Sequence, residues 1–104
     1  KNKKIIINLA INYGAKKEII NALKKTTKKL NIKNLEKNLY TNGMPNPDIL
    51  IRTGGHQRLS NFLLWQLAYA ELFFLKKLWP DFKENDLRNI INKFKQSKRN
   101  FGAI

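Results

Sequence analysis

The sequence predicts an α/β fold with a parallel sheet, its strands alternating with helices. Three observations carry that expectation. Two short runs of branched apolar residues, Ile5-Ile6-Ile7-Asn8-Leu9-Ala10-Ile11 and Ile49-Leu50-Ile51, read as buried strands. Both close in turn formers, Asn12-Tyr13-Gly14 and Thr53-Gly54-Gly55. Stretches with the apolar spacing of one helix face lie between and after them.

The elements follow in order. From Lys16 to about Lys29, Ile19, Ile20 and Leu23 fall on one helical face, with lysines on the other. Leu30–Lys33 is a connector, and Asn34 is placed to cap a short helix through Leu39. Thr41–Asp48 is dense in Asn, Gly and Pro and must be a loop. The second strand runs directly into Arg52-Thr53-Gly54-Gly55-His56-Gln57-Arg58. Ser60 or Asn61 then opens an apolar helix over Phe62–Tyr69. Leu72-Phe73-Phe74 suggests a third strand. Pro80 and Asp81 precede a last helix from Glu84 to Lys98, with Leu87, Ile90, Ile91 and Phe94 on its inner face. There is no internal repeat and no linker long enough to divide the chain. A central strand needs neighbours on both edges, and so few strands leave the first one poorly covered.

A length of 104 residues fits one small domain or part of a larger one. The absence of cysteine excludes a disulfide framework and a thiolate metal site, and fits a reducing compartment. The basic start Lys1-Asn2-Lys3-Lys4 precedes only three isoleucines, too short a run for a signal-peptide core or a membrane span. The net charge of +14 points either to an anionic partner (nucleic acid, diphosphate or an acidic membrane surface) or simply to lysine-rich outer helix faces. The kind of cation is more informative. Seventeen basic residues are Lys and only four are Arg, yet Arg52 and Arg58 stand within seven residues of each other. A guanidinium binds phosphate or carboxylate bidentately, which an ammonium cannot do.

A strand ending in a glycine-rich loop that leads into a helix is a general anion-binding device. Here Gly54 and Gly55 would admit a ligand to the backbone. Arg52 and Arg58 flank them, and the Ser60 hydroxyl stands at the helix entrance. Two guanidinium groups, a hydroxyl and free amides suit a diphosphate. Ser60 read alone is an ordinary N-cap. Pairing of Arg52 and Arg58 with nearby acids is disfavoured, because Glu71 is the only acid between Asp48 and Asp81. Glu71 itself interrupts an apolar run, Leu67–Phe74, and a buried carboxylate needs a partner. An arginine of the loop and a Mg²⁺ bridging to phosphate oxygens satisfy it equally well. His56, the single histidine, reads as an exposed loop residue, and Trp65, Tyr69, Phe73, Phe74 and Trp79 read as core.

The run Pro47-Asp48-Ile49-Leu50-Ile51-Arg52-Thr53-Gly54-Gly55, followed by Gln57-Arg58-Leu59-Ser60-Asn61-Phe62-Leu63-Leu64-Trp65-Gln66, resembles the signature of the cis-prenyltransferases that make undecaprenyl diphosphate. Ala68-Tyr69-Ala70-Glu71-Leu72 and Leu78-Trp79-Pro80-Asp81-Phe82 continue the likeness, and Asn8–Gly14 resembles the family's upstream strand and turn. The resemblance implies that residues 1–104 form the C-terminal part of a single cis-prenyltransferase domain whose N-terminal half lies outside them. It further implies that Arg52, Arg58, Leu59 and Ser60 hold the diphosphate of isopentenyl diphosphate, Leu59 through its backbone, and that Glu71 is the metal-associated carboxylate. The expected cofactor is Mg²⁺, the second substrate an allylic diphosphate, and the expected assembly a homodimer. The family's Asp-Gly-Asn-Gly-Arg-type phosphate motif and essential aspartate are not among these residues, so the chain alone is expected to be inactive. His56 stands where the family has Glu, Gly14-Ala15-Lys16 where it has Gly-Gly-Arg, and Asn100 where it has an Arg of the Arg-x-Gly tail. The expected location is the cytoplasm, with peripheral attachment to the membrane surface left open. A non-catalytic subunit derived from the family is the second reading. A basic nucleic-acid-binding domain is the third, and no RRM, KH or zinc-finger signature supports it.

Overall fold

A computed structural model of the chain describes residues 5–102. Its centre is a parallel pair of strands, β1 (Ile49–Arg52) and β2 (Glu71–Phe74), with Ile49 opposite Glu71 and Arg52 opposite Phe74. Branched and aromatic residues dominate both, as a pleated, half-buried ladder favours. The α/β class and the parallel sheet are therefore present, and Leu72–Phe74 is a strand as expected.

Helix α1 covers Ala15–Lys25 and α2 covers Ile32–Glu36. Asn31, not Asn34, caps α2: its side chain accepts from the Asn34 amide at 2.8 Å. The buried face of α1 is Ala15, Glu18 and Ala22, with Ile19 only half-buried and Ile20 and Leu23 exposed. Small side chains at 15 and 22 let the helix approach its neighbours closely, and the carboxylate between them is drawn inward by three donors described below. Ala22, Leu35 and Leu39 form the core cluster, against which Trp65 packs.

A 3₁₀ turn, Trp79–Asp81, leads to α3, Glu84–Gln96. The start of α3 is fixed by Asp86, whose carboxylate accepts from the Lys83 amide at 2.9 Å and pairs with Lys77 at 2.9 Å. An acid there also complements the helix dipole. Ile90 is buried and Phe94 half-buried, while Leu87 and Ile91 lie at the margin of exposure. Two of the expected core aromatics lie outside: Trp79 is 71% exposed and stacks on Phe82, and Tyr69 is exposed against Phe101.

Two expected elements do not form. Ile5–Ile11 forms no strand, and Ile7 is 79% exposed. A strand exists through its ladder, and among the described residues the sheet contains only β1 and β2, neither of which pairs with this segment. Residues 60–69 form a succession of turns and not the expected helix. Ser60, Asn61 and Leu63 all have positive φ (51°, 62° and 44°), which no right-handed helix accommodates. Contacts with α1 hold Asn61 in that conformation, so tertiary bonds override local propensity. The basic segment 1–4 and Ala103 of the tail lie outside the described residues.

Candidate functional site

β1 ends at Arg52, and the chain then turns through Gly54 and Gly55, both left-handed, with φ of 94° and 81°. Glycine is required there because other residues rarely adopt such angles. The amides of these glycines are not free for a ligand. Gly54 N donates to Lys77 O at 2.8 Å, and Gly55 N to Leu75 O at 2.9 Å. No helix follows the loop, so neither helix-end amides nor a helix dipole contributes. The glycine and helix-end amides expected to cradle an anion thus contribute nothing, and the capacity of the loop to bind one rests on its side chains and on loop amides such as that of Leu59.

Those side chains do converge. Nη1 of Arg52 donates to Ser60 Oγ at 2.8 Å and also to the Arg58 carbonyl oxygen. Arg52, Arg58 and Leu59 line one recess of about 230 Å³, closed by Leu50, Ile51 and Phe62. Arg58 is exposed and Leu59 half-buried. Among the described residues no carboxylate pairs with Arg52 or Arg58; the ion pairs are Lys77–Asp86, Arg88–Glu84 and Arg99–Asp48. The guanidinium of Arg58 and the remaining donors of Arg52 stay available for an oxyanion. His56 is exposed in the same loop, as expected of it.

Glu71 is not brought to this cluster. It opens β2 opposite Ile49, whereas Arg52 closes β1, so the parallel register separates them by three residues, about 10 Å at the rise of a strand. Its amide donates to Asp48 O at 2.9 Å, and its half-buried side chain has no cationic partner among the described residues. Among the described residues the salt bridge to a loop arginine is therefore not formed. Among the described residues no three His, Cys, Asp or Glu side chains gather to hold a metal. One carboxylate matches part of what Mg²⁺ takes from a protein, but these residues do not by themselves fit the ion.

Sequence reasoning missed a buried polar cluster. Glu18, 1% exposed, accepts from Tyr40 N at 2.8 Å, from Gln66 Nε2 at 3.2 Å and from the Tyr13 hydroxyl. Burial, reinforced by the hydrogen bond to Glu18, pushes the Tyr13 phenol well above its ordinary value. Gln66 Nε2 also donates to Thr41 Oγ1 at 3.0 Å, while Gln66 Oε1 is buried without a partner. The one available signal was the i, i+3, i+7 spacing of Ala15, Glu18 and Ala22. Beside the cluster, an apolar groove of about 460 Å³ runs between residues 8–13 and the Met44–Pro45 loop, with Phe62 shared between it and the arginine recess. The tail is tied down as well. Arg99 pairs with Asp48 at 2.7 Å, donates to Tyr69 O at 2.9 Å, and lies over the rings of Phe94 and Phe101.

Comparison with known proteins places this architecture. Residues 1–102 match the prenyltransferase family described as undecaprenyl diphosphate synthase. The chain is 46% identical to an isoprenyl transferase of Oceanobacillus iheyensis over 99% of its own length and 45% of that protein's. It is 46% identical to a nerylneryl diphosphate synthase of Solanum lycopersicum over 98% of its length and 35% of that protein's. The crystal structure of a probable undecaprenyl diphosphate synthase from Campylobacter jejuni superposes with a TM-score of 0.82 at 43% identity, over 91% of this chain and 46% of that one. Lavandulyl diphosphate synthase from Lavandula x intermedia, solved with dimethylallyl diphosphate, superposes with a TM-score of 0.79 at 38% identity, over 86% of this chain and 43% of that one. The chain thus spans about half the length of the relatives it matches. With the fold, the loop signature and the sequence in agreement over nearly all of its length, the chain belongs to the undecaprenyl diphosphate synthase family of prenyltransferases.

Proposed function

We propose that these residues carry the isopentenyl diphosphate site of a cis-prenyltransferase. In that reaction isopentenyl diphosphate attacks an allylic diphosphate, diphosphate leaves, and loss of a proton sets a cis double bond. The observation that carries the reading is the junction of Arg52 with Ser60 Oγ at 2.8 Å beside an Arg58 that no carboxylate neutralises. Arg52, Arg58 and Ser60 would bind and orient the diphosphate, and Leu59 would present its backbone to it. Guanidinium donors fixed in advance stabilise phosphate charge without reorganising during the reaction.

Several features belong to the same proposal. Mg²⁺ would neutralise diphosphate charge, with Glu71 as one ligand and the others supplied from outside the described residues. The allylic substrate would be held by parts of the family fold beyond this segment, and the segment alone would be inactive. A homodimer and a cytoplasmic location, with contact at the membrane surface, complete the reading.

The test is Arg58→Lys in an enzyme of the family's full length that carries these residues. Lysine keeps the charge and loses the fork. Calorimetric titration should show isopentenyl diphosphate binding weakened by about tenfold or more, the scale of one lost charged hydrogen bond. An unchanged Kd and turnover would sink the assignment.

A further inference from the structure

Helix α1 starts without a cap of its own. Its N-cap residue is Gly14, extended at φ −145° and lacking any side-chain acceptor. The first amides of a helix have no partner within it and need one from elsewhere. Both oxygens of Asn61, far along the chain, fill that need. Ala15 N donates to Asn61 O at 2.8 Å, and Lys16 N donates to Asn61 Oδ1 at 2.9 Å.

The contact imposes two conditions. Glycine at position 14 leaves room for it, because a Cβ there would stand 2.9 Å from Asn61 Nδ2 and push that amide group aside. The chain at 60–61 must also be left-handed, with φ of 51° at Ser60 and 62° at Asn61. Asparagine tolerates that region, whereas serine gains nothing from it locally. Ser60 nevertheless adopts it, and its hydroxyl is the group that Arg52 Nη1 contacts at 2.8 Å. The route from helix to loop is therefore short: the α1 amides fix Asn61, Asn61 fixes the turn, and the turn aims Ser60 at Arg52.

We propose that Asn61 is a positioning residue for the diphosphate loop: by capping α1 it locks the left-handed Ser60–Asn61 turn and thereby sets Ser60 Oγ and the Arg52 guanidinium. Its bearing on binding rests on the function proposed above, but its effect on loop geometry does not. A free Ser60 would relax to the extended or right-handed region and carry its hydroxyl away from Arg52.

Amide exchange and side-chain resonances of the 104-residue chain test this directly. Asn61→Gly keeps a left-handed backbone accessible and removes Oδ1. It should speed exchange of the Lys16 amide by about tenfold and shift the Ser60 and Arg52 side-chain signals. Asn61→Asp retains the acceptor and should restore both. Gly14→Ala, which crowds the Asn61 amide from the other side, should reproduce the shifts seen in Asn61→Gly. If Lys16 loses protection while the Ser60 and Arg52 signals stay in place, Asn61 is a helix cap only and the proposal fails. Unchanged protection of Lys16 in Asn61→Gly would overturn it as well. Titration with inorganic diphosphate separates the two claims. Wild-type chain that binds none counts against the proposed function, while the resonances still decide the role of Asn61.

Discussion

Replacing Glu18 with alanine should remove a large share of the stability of this chain. The carboxylate is 1% exposed and accepts from three donors on separate segments: the Tyr13 hydroxyl, the Tyr40 amide and Gln66 Nε2. In Glu18→Ala each donor loses this acceptor. Tyr40 N has no other acceptor among the described residues, so its loss costs about 1–3 kcal/mol. Gln66 keeps its bond to Thr41, and the half-buried Tyr13 can turn toward water, so those two together cost about 1–2 kcal/mol more. The sum, about 2–5 kcal/mol, compares with a total of about 5–15 kcal/mol for a domain of this size. Urea unfolding followed by tryptophan fluorescence reads it. At a slope of about 1.5 kcal/mol per molar, the midpoint should fall by about 1.3–3.3 M. Glu18→Gln should cost less than half as much, because its oxygen still serves Tyr40 N. Its new amide can also be matched by Gln66 Oε1, which now lacks a donor. A midpoint for Glu18→Ala within about 0.5 M of wild type would refute the view that this cluster ties α1 to the 40–41 and 60–69 segments.

Two further outcomes are expected. The hydrogen bond from Lys77, aided by that from the Lys83 amide, holds the Asp86 carboxyl below its ordinary value. A depressed carboxyl contributes stability above the unfolded-state value near pH 4 and loses it as pH falls through the lower folded value. Asp86→Asn should therefore flatten the fall of melting temperature between about pH 4 and pH 2, and equal slopes in the two proteins would contradict this. Glu71 has no ion pair to break among the described residues, so Glu71→Gln should change the chain's stability by less than about 0.5 kcal/mol. In a full-length family enzyme carrying it, the Mg²⁺ requirement should rise sharply; an unchanged requirement would exclude Glu71 as a ligand.

Local pattern was enough to read the class of fold and to single out the arginine loop. Branched and aromatic residues at 49–51 and 72–74 favour a ladder, and helix periodicity marked α1 and α3, so these elements were legible from local pattern. Two arginines around a glycine pair in a lysine-dominated chain were legible because only the guanidinium forks onto phosphate. Tertiary structure decided the rest. Ile5–Ile11 has every local property of a strand, but strand character depends on a neighbour that no local pattern supplies. Residues 62–69 carry helix formers, but Leu63 among them has positive φ, which a right-handed helix cannot include. Glu71 was legible as an unusual acid. Only the parallel register, which sets it at the opposite end of the ladder from Arg52, showed that the two do not pair. No local pattern marks Glu18 and Gln66 for burial. They are buried because donors and acceptors from segments far apart in the chain meet there, and such meetings are a property of packing that composition and periodicity do not encode.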